Sequence, residues 1–188
     1  MNMTIIDKLL KIKFNEDSLL FNKEVESHYD ATPIGAKVFA CMGVDGVHYC
    51  IVPKDGDITL ENSPVYRISP MDFSEGTIIW TAKNIYDFMG ISIILKNFWL
   101  LPCLIGLNEN EFIKIIKTNE YEFKLKEKNI NNNIIKNINL LKKTFNTINE
   151  KNLYHYIQKE YSDDNNHIKL KFKNIDILEK KHGFYYYN

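Results

Sequence analysis

The stretch "AKVFACMGVDGVHYCIVP", residues 36–53, decides how the chain folds. Two runs rich in β-branched and aromatic residues, "AKVFACMG" and "VHYCIVP", flank the dipeptide Asp45-Gly46. Asp-Gly in that setting is a strong hairpin signal, because both central residues of a type I′ turn need positive φ. With Asp45 and Gly46 at the turn, Val44 opposes Val47, Gly43 opposes His48, Met42 opposes Tyr49 and Cys41 opposes Cys50. Val44/Val47 is then a hydrogen-bonded pair and Cys41/Cys50 a non-hydrogen-bonded one, where Cα atoms approach to about 4.5 Å. One face carries Phe39, Cys41, His48, Cys50 and Val52; the other carries Val38, Ala40, Met42, Tyr49 and Ile51. Both faces are largely apolar, so a central hairpin covered on both sides is expected, with His48 partly solvated near the turn.

Cys41, His48 and Cys50 are the residues in this stretch with chemistry to offer. A structural zinc site draws on a C-x₂₋₄-C pair and a fourth ligand. Here the spacing is C-x₈-C, and the remaining cysteine, Cys103, lies in an apolar run. A redox disulfide fits the Cα spacing but lacks a C-x-x-C context. Reduced cysteines packed as small hydrophobes are the third reading, and the one the spacing favours.

Outward from the hairpin, "SPVYRIS" (63–69) and "GTIIWTA" (76–82) read as two more strands, with "KDGDITLENS" (54–63) a polar connection. Helical spacing then takes over. Ile85, Phe88, Met89 and Ile93 form one stripe, although Gly90 leaves open that "ISIIL" (91–95) starts a strand. Asn108 can cap a helix whose Glu111 reaches back, with Phe112, Ile115 and Ile116 facing inward. Ile134, Ile138, Leu141, Phe145 and Ile148 give a third stripe; Leu153, Tyr154, Ile157 and Tyr161 give a fourth. "HIKLKFK" (167–173) alternates Ile168, Leu170 and Phe172 with Lys169, Lys171 and Lys173, as a lysine-faced edge strand would. Strands first and helices after predict an α+β fold with an antiparallel sheet. The expected organisation is one domain over 1–188, sheet-rich to about 96 and mostly helical from about 97.

Composition narrows the function classes. The 188 residues are 45% apolar and 13% aromatic, as in a folded globular chain. Formal charge is zero, yet residues 1–96 carry 9 basic and 13 acidic side chains, net −4, and residues 97–188 carry 15 and 11, net +4. All basic residues but Arg67 are lysine, which argues against a nucleic-acid reader built on arginine forks. Three cysteines are too few for a disulfide scaffold and suggest a reducing compartment. The start, "MNMTIIDKLLKIKF", has charges breaking its apolar run and is unlike a secretory signal. The run "ISIILKNFWLLPCLIGL" (91–107) is interrupted by Lys96, Asn97 and Pro102, leaving too little for the roughly 20 residues of a membrane span. A cytoplasmic chain is expected, without a membrane or nucleic-acid partner.

No sequence signature of an enzyme or of a cofactor site is present. His28 and Asp30 in "SHYD" lack a nucleophile in a recognisable elbow, and neither a Walker nor a dinucleotide glycine pattern occurs. The carboxylate pairs Asp55/Asp57, Asp72/Glu75 and Asp163/Asp164 each fall in turn-like segments, where aspartate serves the backbone. The aromatic terminus "HGFYYYN" suits docking of the tail on the body better than base stacking.

The order of features over about 36–96 resembles a known family. The hairpin "GVDGVHYCIVP" (43–53) is followed by "SPVYRISPMDF" (63–73) and then "TAKNIYDFMGISI" (81–93). This is similar to the SUKH group of bacterial immunity proteins, with Tyr86, Asp87, Phe88 and Met89 in the slot of that group's closing helix. The stretch "TPIGAKVFA" (32–40) with its hairpin also resembles uncharacterised bacterial proteins. The SUKH resemblance implies a non-enzymatic protein-binding module that neutralises a toxin, commonly a nuclease. Such an inhibitor can present carboxylates where phosphates would go. The exposed candidates are Asp45 at the hairpin tip, Asp55, Asp57 and Glu61 in the next loop, and Asp72 and Glu75. Reversing Asp55, Asp57 and Glu61 together to lysine is then expected to abolish binding without changing thermal stability. The alternative of another class is a small thiol enzyme using Cys50 or Cys41 with His48. A weaker third is nucleic-acid or lipid-headgroup binding on Lys169, Lys171 and Lys173.

Overall fold

Residues 4–11, 29–41, 45–70, 78–98, 100–127, 132–145, 153–163 and 170 are described in a computed structural model of the chain. Four short strands, β1 (Lys37–Cys41), β2 (His48–Ile51), β3 (Val65–Ile68) and β4 (Ile78–Ala82), form an antiparallel meander in sequence order. The helices are α1 (Ile5–Lys11), α2 (Ile85–Leu95), α3 (Leu100–Leu104), α4 (Glu109–Glu127), α5 (Asn132–Thr144) and α6 (Leu153–Ser162). The fold is α+β.

The turn follows the sequence and the register does not. Asp45 and Gly46 both have positive φ, 51° and 68°. The ladder, however, sets Cys41 opposite His48 and Val38 opposite Cys50, so Cys41 and Cys50 are not partners. The two arms are unequal. Only Val47 separates Gly46 from the start of β2, whereas residues 42–44, outside the described residues, separate the end of β1 from Asp45. A bulge between Val38 and Ala40 adds a second slip. β2 alternates as expected, Tyr49 and Ile51 to one side and Cys50 and Val52 to the other. β1 follows that pattern at Ala40, which shares the face of Tyr49 and Ile51, and at Cys41, which pairs with His48. Before the bulge it departs from it: Phe39 joins Tyr49 and Ile51, while Val38 packs with Cys50 and Val52. A slip of one residue carries a side chain to the opposite face, and the bulge is where that happens.

The larger core lies between the sheet and the helices. At its centre is α2, capped by Asn84, whose Oδ1 accepts from the Asp87 amide at 2.8 Å. It ends at Lys96 in the left-handed region. Eight of its eleven residues are buried, Gly90 among them, so it is a core helix and "ISIIL" belongs to it. Around it pack Ile5, Ile6 and Leu9 of α1, Leu101 and Leu104 of α3, Phe112 of α4, Leu141 of α5 with Phe145 just beyond it, and Leu153 and Ile157 of α6. This cluster therefore draws on residues from both halves of the chain. The apolar run 91–107 is used up in it, and no helix among the described residues is long and apolar enough to cross a membrane. The capping box of α4 is formed: Asn108 Oδ1 accepts from the Glu111 amide at 3.0 Å, and Glu111 Oε2 accepts from the Asn108 amide at 3.3 Å.

A second cluster covers the other face of the sheet, with Ala31, Cys50, Val52, Tyr66, Ile68 and Trp80. Leu170 packs against it; the other residues of the expected strand 167–173, including Lys169, Lys171 and Lys173, lie outside the described residues. Helix α6 spans both clusters. Leu153 and Ile157 belong to the larger one, while Tyr161 meets Trp80 of β4 with ring centroids 5.9 Å apart.

Candidate functional site

Three groups of polar side chains can be assessed for chemistry. The first is at the hairpin tip. His48 is fully buried, where partial solvation was expected. Segment 29–36 folds over it: the Tyr29 ring stacks on the imidazole at 5.8 Å, and Thr32 Oγ1 lies 3.0 Å from Nε2. Nδ1 is 2.7 Å from the Gly46 carbonyl, which can only accept, so Nδ1 carries the proton and Nε2 accepts from Thr32. Burial, partly offset by the Gly46 bond, holds the imidazole pKa below its ordinary 6.5. Both ring nitrogens are thus committed. Cys41 faces His48 across the ladder but meets a histidine without a spare nitrogen to take its proton. Cys50 is completely buried, and burial pushes its thiol far above the range in which a thiolate forms. Cys41 and Cys50 are diagonal neighbours on one face, about 7–8 Å apart by ladder geometry, beyond the span of a disulfide. None of the three cysteines forms a disulfide, and Cys103 is exposed on α3. Among the described residues no group of His, Cys, Asp or Glu has the arrangement to hold a metal ion.

The state of His48 gives a pH dependence. Well above pH 6.5 it is neutral in both folded and unfolded chains and contributes no slope. Below 6.5 the unfolded chain takes up the proton first, so stability falls as pH drops, by at most about 1.4 kcal/mol per pH unit, until the folded pKa is reached. Urea unfolding between pH 5 and 7.5 measures this, and His48→Gln is expected to flatten the curve in that window.

The second group is the β2–β3 loop, residues 54–63. Asp57 is turned into it. Its Oδ2 accepts from Ser63 Oγ at 2.6 Å and from the Asn62 amide at 2.9 Å, and its Oδ1 accepts from Thr59 Oγ1 at 3.0 Å. Burial acts to raise this carboxyl, but the bonds from Ser63, Asn62 and Thr59 outweigh it and hold the pKa below the usual aspartate value. Ser63, itself fully buried, passes the order on by accepting from the Lys54 amide at 2.9 Å. Glu61 is half-buried and tied to Lys8 of α1 at 3.5 Å and to the Tyr86 hydroxyl on α2. Asp55 is exposed.

The four described acidic candidates, Asp45, Asp55, Asp57 and Glu61, therefore do not form one surface. Asp45 is exposed at the turn before β2, whereas Asp55, Asp57 and Glu61 follow it, at the opposite end of the sheet. Asp57 and Glu61 spend their charge on the fold. Asp72, Glu75, His28 and Asp164 lie outside the described residues; Asp30 and Asp163 are exposed.

The third group was not read from the sequence. Lys83 Nζ lies between Asp87 Oδ2 at 3.4 Å and Glu160 Oε2 at 3.2 Å, and 5.2 Å over the ring of Tyr156, whose hydroxyl donates to Asp87. Burial disfavours the ammonium, but the Asp87 and Glu160 carboxylates more than compensate and keep Lys83 charged. Burial, reinforced by the Asp87 bond, pushes the Tyr156 phenol well above its usual range. Both groups hold their protons at neutral pH, so neither acts as a base. The crevice beside them has room for no more than a water molecule. Its role is to fasten α6 to the β4–α2 corner. The i,i+4 spacing of Lys83 with Asp87 and of Tyr156 with Glu160 is visible in sequence, but nothing local joins pairs some 69 residues apart.

No protein-family model, curated protein or solved structure matches the chain.

Proposed function

We propose that the chain is a non-enzymatic protein-binding module, working in the cytoplasm without a cofactor, which neutralises a toxin by covering a basic surface. The single observation that carries this reading is the 54–63 loop. Asp57 braces it from within while Asp55 stays exposed on it, so a partner meets a surface already ordered. The similarity of residues 36–96 to SUKH immunity proteins supplies the partner class, and the acidic N-terminal half suits steering toward a cationic protein. The burial of Cys50 and the committed nitrogens of His48 weigh against the thiol-enzyme alternative.

The test is affinity purification of the tagged full chain from its own host at low and moderate salt, with each retained protein then expressed alone and together with the chain. The reading expects a stoichiometric partner that arrests growth by itself and is harmless when co-expressed. Recovery of the chain alone, or of partners that are not toxic, overturns it.

A further inference from the structure

Ile58 is 89% exposed, the most exposed large apolar side chain among the described residues. Scattered surface aliphatics are ordinary, and exposure alone would say nothing. What sets Ile58 apart is the backbone that carries it. A β-branched residue is a poor choice for a tight loop, where Gly, Asn, Asp and Ser serve the turn. The chain reverses on both sides of it, at Gly56 with φ 82° and at Leu60 with φ 65°. Leu60, two residues on, is buried in the sheet–helix core, so one aliphatic side chain is drawn in and the other is thrust out. The Ile58 amide donates to the Gly56 carbonyl at 3.2 Å, and the Asp57 amide to that of Lys54 at 2.9 Å. The Asp57 carboxylate then ties Thr59, Asn62 and Ser63 together directly after Ile58.

On the binding-module reading, we infer that Ile58 is the anchor of the interface, presented on a braced loop to an aliphatic pocket whose rim is lined with lysine or arginine. The rim follows from charge. Glu61 is offset by Lys8, so the loop keeps Lys54 against Asp55 and Asp57, net −1, with Asp55 exposed beside the tip. A buried aliphatic anchor with acidic neighbours binds best where desolvation of the pocket and opposite charge at its edge coincide. Preorganisation removes the cost of ordering the loop on binding.

The experiment places a photoreactive p-benzoylphenylalanine at position 58 of the full chain in its host and, in parallel, at Ile34 and Ile113. Adducts are mapped by mass spectrometry. The expected result is an adduct from position 58 to one protein, on an apolar peptide flanked by Lys or Arg, with yield falling at least fivefold when Asp55→Lys is added. With that protein purified, Ile58→Ala is expected to weaken binding roughly ten- to hundredfold, while its melting temperature stays at the wild-type value. An adduct from Ile34 or Ile113 but not from 58 overturns the anchor and leaves the binding-module reading standing. Adducts to the chain itself, or on peptides without basic neighbours, overturn the partner chemistry. No adduct from any position overturns both.

Discussion

Phe88→Ala is expected to destabilise the protein by about 3–5 kcal/mol, the range for removing a fully buried phenylalanine ring. The ring is completely buried near the start of α2 and touches three other aromatics. It meets Phe39 edge-on at 5.6 Å, Tyr49 at 4.9 Å and Phe98 at 6.0 Å. Those contacts tie the helix to the first two strands and to the segment entering α3. Tyr49 adds a polar fixing point, its hydroxyl donating to the Phe98 carbonyl at 2.8 Å. Truncation leaves a void whose walls belong to four elements, and a cavity with rigid walls does not collapse. The melting temperature is expected to fall by about 10 °C or more. Phe88→Leu, which keeps most of the volume, is expected to cost less than half as much. A loss under 1 kcal/mol in urea unfolding for the alanine variant would mean that the four rings are not packed as described.

Asp57→Ala is expected to cost about 2–3 kcal/mol, because hydrogen bonds to an ionised acceptor are each worth more than neutral ones and Ser63 is left buried without that acceptor. Asp55→Ala, at an exposed neighbouring position, is expected to change stability by less than about 0.5 kcal/mol. The contrast between two aspartates two residues apart is the measurement. It also corrects the expectation that reversing Asp55, Asp57 and Glu61 together leaves stability unchanged. A lysine at 57 removes the brace of the loop, and one at 61 places a cation beside Lys8. Loss of binding in that triple variant would report unfolding of the loop as readily as loss of an interface. Single changes at Asp55 or Ile58 separate the two, since neither side chain braces the loop.

What was legible in the sequence is what short-range geometry decides. The Asp45-Gly46 turn, the strands 65–68 and 78–82, and the Asn108/Glu111 cap all follow from residues within a few positions of one another. The register of β1 against β2 does not. It depends on how many residues each arm spends before pairing starts and on a bulge at Phe39, and neither leaves a mark in the alternation of side chains. The burial of His48 was missed for a related reason. The lid over it comes from Tyr29 and Thr32, in a segment that reads as a plain loop until the hairpin is there to receive it. Helix α1 went unread although Thr4 and Asp7 exchange hydrogen bonds at its start, at 2.8 and 3.1 Å. An aspartate in that box, ahead of only seven helical residues, is a weaker signal than the glutamate of α4.

The placement of α6 has a consequence for how the chain is made. β4 is the last strand of the described sheet, and α6, anchored through Lys83, Asp87 and Glu160, packs along it and bridges the clusters on its two faces. Some seventy residues must leave the ribosome after β4 before that cover exists. Throughout that interval a nascent chain with a finished sheet offers an unguarded hydrogen-bonding edge to its neighbours on the same polysome. Delay before the last helix emerges is therefore expected to favour strand-to-strand association over folding.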